Sequence, residues 1–197
     1  MSAPEPVGPF GAALPPGRHG ASGGDAVRIS ARPSTIVQLA ARRGRTEAVA
    51  ATIRARFALD LPSAGGSGQS GDLIALWLQP ETWLLMAPRG VEGALAREVK
   101  AACGDAGSVV DQTHGRAVLS ISGTAARGVL GRICRIDLHP RRFGPGRVAA
   151  TPIAELACLV CQRDATPSFD LLVSSSVAGW FAEAVRHAAA GSGYEIG

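Results

Sequence analysis

Residues 73–87 read LIALWLQPETWLLMA, two apolar runs separated by Gln79-Pro80-Glu81-Thr82. Short apolar runs joined by a polar segment that contains proline are typical of two antiparallel strands and the turn between them. The stretch therefore predicts a β-hairpin, and the segments on either side of it indicate what packs around this hairpin.

One strand pattern and one helix pattern flank the hairpin on each side. Before it, residues 35–41 (TIVQLAA) alternate apolar and polar side chains, and a helix is predicted to begin with Thr46 as its N-cap. After it, a second helix ends near Gly104, and residues 108–112 form a further strand. The predicted buried faces of the helices are Val49, Ile53 and Phe57 in the first and Val91, Leu95 and Val99 in the second. The order of elements is β-α-β-β-α-β.

The rest of the chain repeats this order. Residues 116–121 (RAVLSI) predict a strand, and a helix entered at Gly123-Thr124 follows it. Two strands are predicted over residues 150–162 and 169–174, and an amphipathic helix over residues 177–190. The predicted buried residues of these helices are Val129, Leu130, Ile133, Val177, Phe181 and Val185. The second half therefore reads β-α-β-β-α.

The two patterns together predict an α+β fold of two successive ferredoxin-like split β-α-β units, with helices packed on antiparallel sheets. The predicted halves are residues 27–113 and 114–197, forming one compact unit. Residues 1–26 are rich in Pro and Gly and have no apolar periodicity, which predicts a flexible tail. Residues 63–71 (SAGGSGQSG) predict a loop.

The composition excludes several classes of protein. The net charge is +4, but the basic residues are scattered arginines, with Lys100 the single lysine, and no aromatic residues are interleaved with them. This pattern argues against a nucleic-acid surface. The sequence has no apolar stretch of the roughly 20 residues needed to cross a membrane, and four cysteines without a secretory signal predict a cytoplasmic location.

The usual catalytic and cofactor motifs are weak or missing. Cys158 and Cys161 form a C-x-x-C, but on a strand they point to opposite faces, so we expect buried structural cysteines and no metal site. Ser120, His114 and Asp111 are close in sequence without the G-x-S-x-G elbow of a hydrolase. The glycines of residues 63–71 lack the Lys-Ser/Thr ending of a phosphate-binding loop. The residues therefore predict neither a catalytic site nor a bound cofactor in this chain.

Polar side chains concentrate in two short segments, DQTHGR (residues 111–116) and DLHPRRF (residues 137–143). Such residues cap turns and satisfy loop carbonyls, and this interpretation is favoured by composition. The alternative is a subunit interface, with Arg and Phe side chains as anchors. The interface candidates are Asp111, Gln112, Thr113, His114, Arg116, Asp137, His139, Arg141, Arg142 and Phe143.

The order of these segments resembles the gamma subunit of heterotetrameric sarcosine oxidase. The resemblance runs from about residue 34 to the C-terminus. It is carried by WLLMAP (residues 83–88), VDQTHGR (residues 110–116), LSISG (residues 119–123) with Ala125, Ala126, Arg127 and Leu130, IDLHPRRF (residues 136–143) with Gly146, and Thr151. The long N-terminal segment and the loop at residues 63–71 are departures from the family pattern.

The resemblance implies a fold like the folate-binding domain of the glycine-cleavage T protein. It also implies membership of a complex that demethylates sarcosine to glycine, with formaldehyde released or passed to tetrahydrofolate and hydrogen peroxide formed at a flavin. In such a complex the alpha and beta subunits carry FAD, FMN and NAD, the delta subunit carries zinc, and the gamma subunit carries no cofactor.

Two other functions stay open at this stage. One is a free-standing folate-binding or one-carbon transfer protein of the T-protein type, in which Asp111 or Glu81 would have to grip the pterin. The other is the equivalent subunit of a complex acting on another N-methyl amine or amino acid.

Overall fold

Each of the two sheets in this protein buries one face against helices and the other face against the second sheet. The computed structural model describes residues 8–22 and 25–197. Three apolar clusters fill the spaces between four layers, with one pair of helices on each outer side and the two sheets in the middle. The alternation of side chains along each strand produces this arrangement, because successive residues point to opposite faces of a sheet.

The first half forms a five-stranded antiparallel sheet with the order β4-β5-β6-β3-β7. Strands β3, β5, β6 and β7 have the 2-3-1-4 order of a ferredoxin-like unit when numbered in sequence, and β4 extends its edge. The elements are β3 (Ser34–Ala41), α1 (Thr46–Phe57), β4 (Ser67–Ser70), β5 (Leu73–Gln79), β6 (Thr82–Pro88), α2 (Ala94–Cys103) and β7 (Gly107–Asp111).

The second half contributes to a seven-stranded sheet with the order β1-β12-β2-β8-β11-β10-β9. The elements are β8 (Arg116–Ser122), α3 (Ala126–Gly131), β9 (Val148–Ile153), β10 (Leu156–Asp164), β11 (Ser168–Ser174), α4 (Ala178–Ala189) and β12 (Tyr194–Ile196), joined by β1 (Gly17–His19) and β2 (Val27–Ala31) from the N-terminal segment. The α+β class and the two ferredoxin-like units predicted from the sequence are therefore confirmed.

The N-terminal segment differs from the predicted tail. Residues 8–22 include a short 3-10 helix at Gly11–Ala13 and the strand β1, and Phe10 is only 5% exposed in the core under α4. Burial of Phe10 and pairing of β1 with β12 order this segment, so the prediction of flexibility is wrong there. Residues 1–7 and 23–24, which the same prediction covered, lie outside the described residues.

The glycine-rich stretch at residues 63–71 joins the two sheets and is not a free loop. Val148 donates its backbone N–H to the carbonyl of Gly65 at 2.9 Å, and Ser67 donates to Gly146 at 2.8 Å. Gly68 lies in β4, where a β-carbon would come within 2.4 Å of the Asp60 carbonyl oxygen. Glycine is required at this position because the backbones approach so closely.

Three local predictions differ from the structure. The predicted single strand over residues 150–162 is the hairpin of β9 and β10, turning at Ala154 and Glu155, which both have positive φ. Thr46 is the first residue of α1 and donates its hydroxyl to Glu81 Oε1 at 2.6 Å, so it does not cap the helix. Val91 precedes α2 and is 76% exposed, so it is not part of the helix's buried face.

Candidate functional site

The DQTHGR segment (residues 111–116) connects the two sheets, because it runs from the end of β7 to the start of β8. Thr113 is buried, and its hydroxyl accepts the N–H of Ile36 at 3.1 Å and donates to the carbonyl of Ile36 at 3.3 Å. The N–H of Thr113 donates to Asp111 Oδ1 at 2.9 Å. Hydrogen bonding by Thr113 lowers the pKa of the Asp111 carboxyl, with a smaller contribution from the nearby His114 and Arg89.

The second part of this segment is held by the residues that follow β11. Ser175 donates its hydroxyl to the carbonyl of His114 at 2.7 Å and its N–H to the carbonyl of Gly115 at 3.1 Å. The His114 ring is exposed, with Nε2 3.1 Å from Glu92 Oε1 and 3.4 Å from an Arg89 nitrogen. The backbone of the segment is therefore fixed, and the side chains of Asp111 and His114 remain on the surface.

A cavity of about 710 Å³ opens beside this segment, where the N-terminal residues meet both sheets. Its apolar wall includes Phe10, Leu14 and Val118, and its basic groups include Arg32, Arg89 and Arg116. Among the described residues, no Asp or Glu lines it. Volume and lining are in the range of small-molecule sites, which are mostly apolar with a few polar groups.

The DLHPRRF segment (residues 137–143) is a compact turn packed over α3. The N–H groups of Arg142 and Phe143 both donate to the carbonyl of His139 at 2.8 Å, and His139 donates its own N–H to Asp137 Oδ1 at 2.8 Å. Arg127 holds the turn from below, because its guanidinium donates to the carbonyls of Leu138 and Phe143.

Arg127 is a structural centre that the sequence reasoning missed. It also donates to Gln162 Oε1 at 2.8 Å, and its guanidinium carbon lies 5.3 Å from the centre of the Phe169 ring. Gln162 is fully buried. Arg127 is the second residue of the short helix α3, and no apolar periodicity in the sequence marks it as important. Only the tertiary packing identifies its role.

The structure does not bring the two predicted segments together. Residues 111–116 precede β8, and the turn at residues 137–143 lies over α3 beyond the far end of that strand. Among the described residues, no hydrogen bond or salt bridge joins the two segments. They are two separate surfaces.

Two of the ten interface candidates are unavailable to a partner. Thr113 is 6% exposed and satisfied by Ile36, and Phe143 is 5% exposed in the core with Leu138. Phe143 is therefore an internal anchor of its own turn, which corrects the prediction that it anchors a partner. The side chains left on the surface are those of Asp111, His114, Asp137, His139, Arg141 and Arg142, while Gln112 and Arg116 are half-buried.

The C-x-x-C pair behaves as a pair of buried hydrophobic residues. Cys158 packs in the cluster under the helices and Cys161 in the cluster between the sheets, so the two thiols point to opposite faces of β10 as predicted. Burial raises the pKa of the Cys158 thiol, and burial with the nearby Asp170 charge raises the pKa of Cys161 to about 12. In the described part of the chain, no three His, Cys, Asp or Glu residues are grouped as a metal site requires.

Ser120 bonds to Asp170 and belongs to no triad with His114. The hydroxyl of Ser120 donates to Asp170 Oδ1 at 2.6 Å, and Asp170 also pairs with Arg32 and with Arg163 at 3.3 Å. Asp170 is fully buried, beside a cavity of about 300 Å³. The sequence indicates this cluster through Asp170, the single carboxylate in the apolar run FDLLVS (residues 169–174). An ionised side chain in a buried strand requires charged or hydrogen-bonding partners.

Comparison with known proteins identifies the relatives of this chain. Residues 43–191 match the sarcosine oxidase gamma subunit family. The chain belongs to this family. The sarcosine oxidase gamma subunit of an Arthrobacter species is 40% identical over 113 residues, covering 56% of this chain and 55% of the relative. That of Corynebacterium sp. strain P-1 is 45% identical over 95 residues, covering 48% and 46%. The chain spans about half the length of the curated relatives it matches.

Two solved structures share the fold. A chain of the heterotetrameric sarcosine oxidase from Corynebacterium sp. U-96, in complex with pyrrole 2-carboxylate, superposes with a TM-score of 0.73 at 30% identity, covering 86% of this chain and 89% of that one. The glycine cleavage system aminomethyltransferase T from Bartonella henselae gives 0.56 at 15% identity, covering 91% and 49%. The second likeness is one of fold, and the T-protein-like architecture expected from the sequence is confirmed by it.

Proposed function

We propose that this protein is the gamma subunit of a heterotetrameric sarcosine oxidase and contributes assembly rather than chemistry. The reaction of the complex would be oxidative demethylation of sarcosine to glycine, with formaldehyde or methylene-tetrahydrofolate and hydrogen peroxide as further products. FAD, FMN, NAD and zinc would reside in the alpha, beta and delta subunits. The observation that carries this proposal is the superposition on a chain of such a complex over almost its whole length.

The chemistry of the described residues favours a role in assembly over a catalytic one. The thiols of Cys158 and Cys161 are buried and protonated at neutral pH, which makes them poor nucleophiles and metal ligands. The strongest polar cluster, around Asp170, consists of internally satisfied ion pairs. Four free cysteines fit a reducing compartment, and we place the complex in the cytoplasm. No helix in the described ranges is long and apolar enough to span a membrane.

The exposed arginines of the DLHPRRF turn are the best candidates for a contact with a larger subunit. Arg141 and Arg142 are exposed on a turn whose backbone is fixed by Arg127 and Phe143. A rigid turn loses little conformational entropy on binding, and arginine is favoured at interfaces because its planar group pairs with carboxylates.

The test is co-expression of the tagged chain with the other subunits, followed by affinity purification, an absorption spectrum and an oxidase assay with sarcosine. The expected result is a yellow complex containing two large flavoprotein chains and one small zinc-containing chain. The double variant Arg141→Ala/Arg142→Ala is expected to lower recovery of the large chains. Arg42→Ala/Arg43→Ala, which removes two adjacent exposed arginines elsewhere on the surface, is the matched control. A colourless chain recovered alone from cells that contain those subunits would overturn the proposal.

A free-standing folate-binding protein of the T-protein type is the second candidate, and the cavity of about 710 Å³ is the observation that favours it. The two carboxylates that would have to bind the pterin do not line this cavity. Asp111 is outside the lining, and Glu81 lies at the β5–β6 turn, bonded to Thr46. We therefore expect tetrahydrofolate to bind the isolated chain no more tightly than a simple aromatic carboxylate such as benzoate does in calorimetry. Much tighter saturable binding would require recognition of the pterin and would move the assignment to this candidate.

A further candidate is the equivalent subunit of a related oxidase or dehydrogenase. Only the substrate of the complex distinguishes it from a sarcosine oxidase subunit. Substrate contacts would lie on the flavin-bearing partner, so the oxidase assay should include dimethylglycine and N-methylglutamate beside sarcosine. Faster turnover of either compound than of sarcosine would reassign the substrate and leave the subunit role intact.

A further inference from the structure

The cavity beside the DQTHGR segment has an electrostatic imbalance that the proposed subunit role does not use. Arg32, Arg89, His114 and Arg116 line it, and no carboxylate among the described residues does. Two carboxylates lie just outside the lining: Glu92 is 3.1 Å from His114 Nε2, and the charge of Asp111 interacts with those of His114 and Arg89. Arg32 is compensated from outside the cavity, because it pairs with the buried Asp170. The charges of Arg89 and Arg116 have no salt-bridge partner within residues 8–22 and 25–197.

Arg116 is the more unusual of these two residues. Its Nε is fully buried and has no hydrogen-bond acceptor in the described part of the chain. Burial lowers the pKa of its guanidinium, which shows that the environment disfavours the charged form. The Nε itself has almost no accessible surface and cannot be reached from the cavity. The terminal nitrogens of the guanidinium are accessible and have no acceptor in the described part of the chain, so an acceptor placed in the cavity would bind to them.

Apolar side chains line the same cavity. Phe10 and Leu14 come from the N-terminal segment, and Ile36 and Val118 come from one strand of each sheet. A small inorganic anion would leave this surface wet, whereas a ligand with an apolar body would cover it. The side chain of Arg89, exposed at the mouth, is placed to meet the same anionic group or a second one.

We propose that this cavity is a binding site for a small organic carboxylate with an apolar body, and that Arg116 and Arg89 hold the carboxylate. A guanidinium suits this role because its fork of N–H donors matches the two oxygens of a carboxylate. The apolar part of the ligand then lies against Phe10, Leu14 and Val118.

Calorimetry on the full-length chain tests this site with benzoate as the probe, its neutral isostere benzamide as the matched ligand control, and inorganic phosphate as the competing anion. We expect saturable binding of benzoate, no measurable binding of benzamide, and weaker binding of phosphate than of benzoate. Benzoate should also raise the unfolding temperature, since a ligand that binds only the folded state stabilises it.

Three variants locate the site. Arg116→Met should weaken benzoate binding at least tenfold, roughly the effect of losing a hydrogen bond to a charged group. Arg89→Met, at the exposed mouth, should weaken it about threefold, as expected for an exposed ion pair. Arg43→Met, which changes the net charge equally at an exposed position outside the lining, should leave binding unchanged.

A separate readout distinguishes a ligand-binding arginine from a merely structural one. Without benzoate, Arg116→Met should keep or raise the unfolding temperature, because it removes an unsatisfied buried donor. No saturable binding of benzoate, equal binding of benzamide, tighter binding of phosphate, or unchanged binding in both Arg116→Met and Arg89→Met would each overturn the proposal.

Discussion

The two halves of the chain build the same four-strand pattern but complete it differently. In the first half, β7 pairs directly with β3, so the five-stranded sheet contains only strands of its own half. In the second half, β2 lies between β12 and β8, parallel to the first and antiparallel to the second. A topological repeat therefore does not imply two equivalent units, because the second sheet depends on β2, which belongs to the first predicted half (residues 27–113).

The halves also differ in how they use charge. The ion pairs of the first half are all exposed, such as that of Arg54 on α1 with Asp60 just after the helix, whose side chains are 70% and 73% exposed. The second half has an exposed pair as well, Arg135 with Glu155. The second half buries Asp170 at the centre of β11, with Arg32 reaching it from the link between the two sheets. The buried pair of Arg32 and Asp170 links the two halves, whereas the exposed pair of Arg54 and Asp60 lies entirely within the first half.

The largest effect we expect comes from breaking the buried pair. Asp170→Ala should lower the free energy of unfolding by about 3–5 kcal/mol, because it leaves the charges of Arg32 and Arg163 without their partner inside the protein. Asp60→Ala, in the exposed pair, should cost less than about 1 kcal/mol. Urea denaturation of both variants measures this difference, and equal costs would contradict the contrast between the halves.

The next effect concerns the N-terminal segment. Phe10→Ala should lower the free energy of unfolding by about 3 kcal/mol, as for a large aromatic side chain removed from a core. Val91→Ala, at a residue that is 76% exposed, should change it by less than about 0.5 kcal/mol. Urea denaturation of both variants measures these changes. If Phe10→Ala left the free energy of unfolding unchanged, the N-terminal segment would have no role in stability, as the prediction of a flexible tail implies.

A smaller effect tests the crossing from β7 to β8. Thr113→Val keeps the shape of the side chain but leaves the Ile36 N–H without its acceptor, and should cost about 2 kcal/mol. Thr124→Val, which removes an exposed hydroxyl bonded to Asp25, should be close to neutral. Comparable costs for the two variants would mean that the buried hydrogen bonds of Thr113 do not fix the junction.

The smallest effect is a pH dependence in β10. The pKa of Cys161 is raised to about 12 by burial, so the folded state keeps its proton while the unfolded state loses it above about pH 9. The stability contributed by this thiol is full below the unfolded pKa and is lost as pH rises from about 9 towards 12, by roughly 1.4 kcal/mol one unit above the unfolded value.

Cys161→Ala should flatten the decline in stability over this pH range, and Cys134→Ala, at a partly exposed position, is the control. Alkylation of the folded chain should modify Cys134 before Cys158 or Cys161, which need unfolding to react. Early modification of Cys161 would contradict its burial between the sheets.

The sequence could predict many of the features that depend on local periodicity. The alternation in residues 35–41 and the apolar runs around Pro80 correspond to β3 and to the β5–β6 hairpin. The same period of two places Cys158 and Cys161 on opposite faces of β10. The ordered set of motifs that resembles the gamma subunit family is likewise a property of the sequence, and the match over residues 43–191 confirms it.

The candidate site could be predicted only in part. The concentration of polar residues in the DQTHGR segment marks it in the sequence, and the segment lines the cavity through His114 and Arg116. The sequence could not show that Phe143 and Thr113 are buried, since a loop residue's burial depends on what packs over it. It also could not show the cavity, because Phe10, Arg32 and Arg116 meet there from segments far apart in the chain.

The amino-acid sequence by itself determined the α+β repeat, the hairpins marked by turn residues and the family, because each rests on spacings of a few residues or on ordered motifs. The tertiary structure alone decided that β2 is inserted beside β8 and β12, that Asp170 couples the sheets, and that the cavity is lined by Arg116, whose Nε has no acceptor among the described residues. Pairing of residue 27 with residue 194 is set by long-range packing, whose free energy is shared among many weak contacts and leaves no short-range pattern.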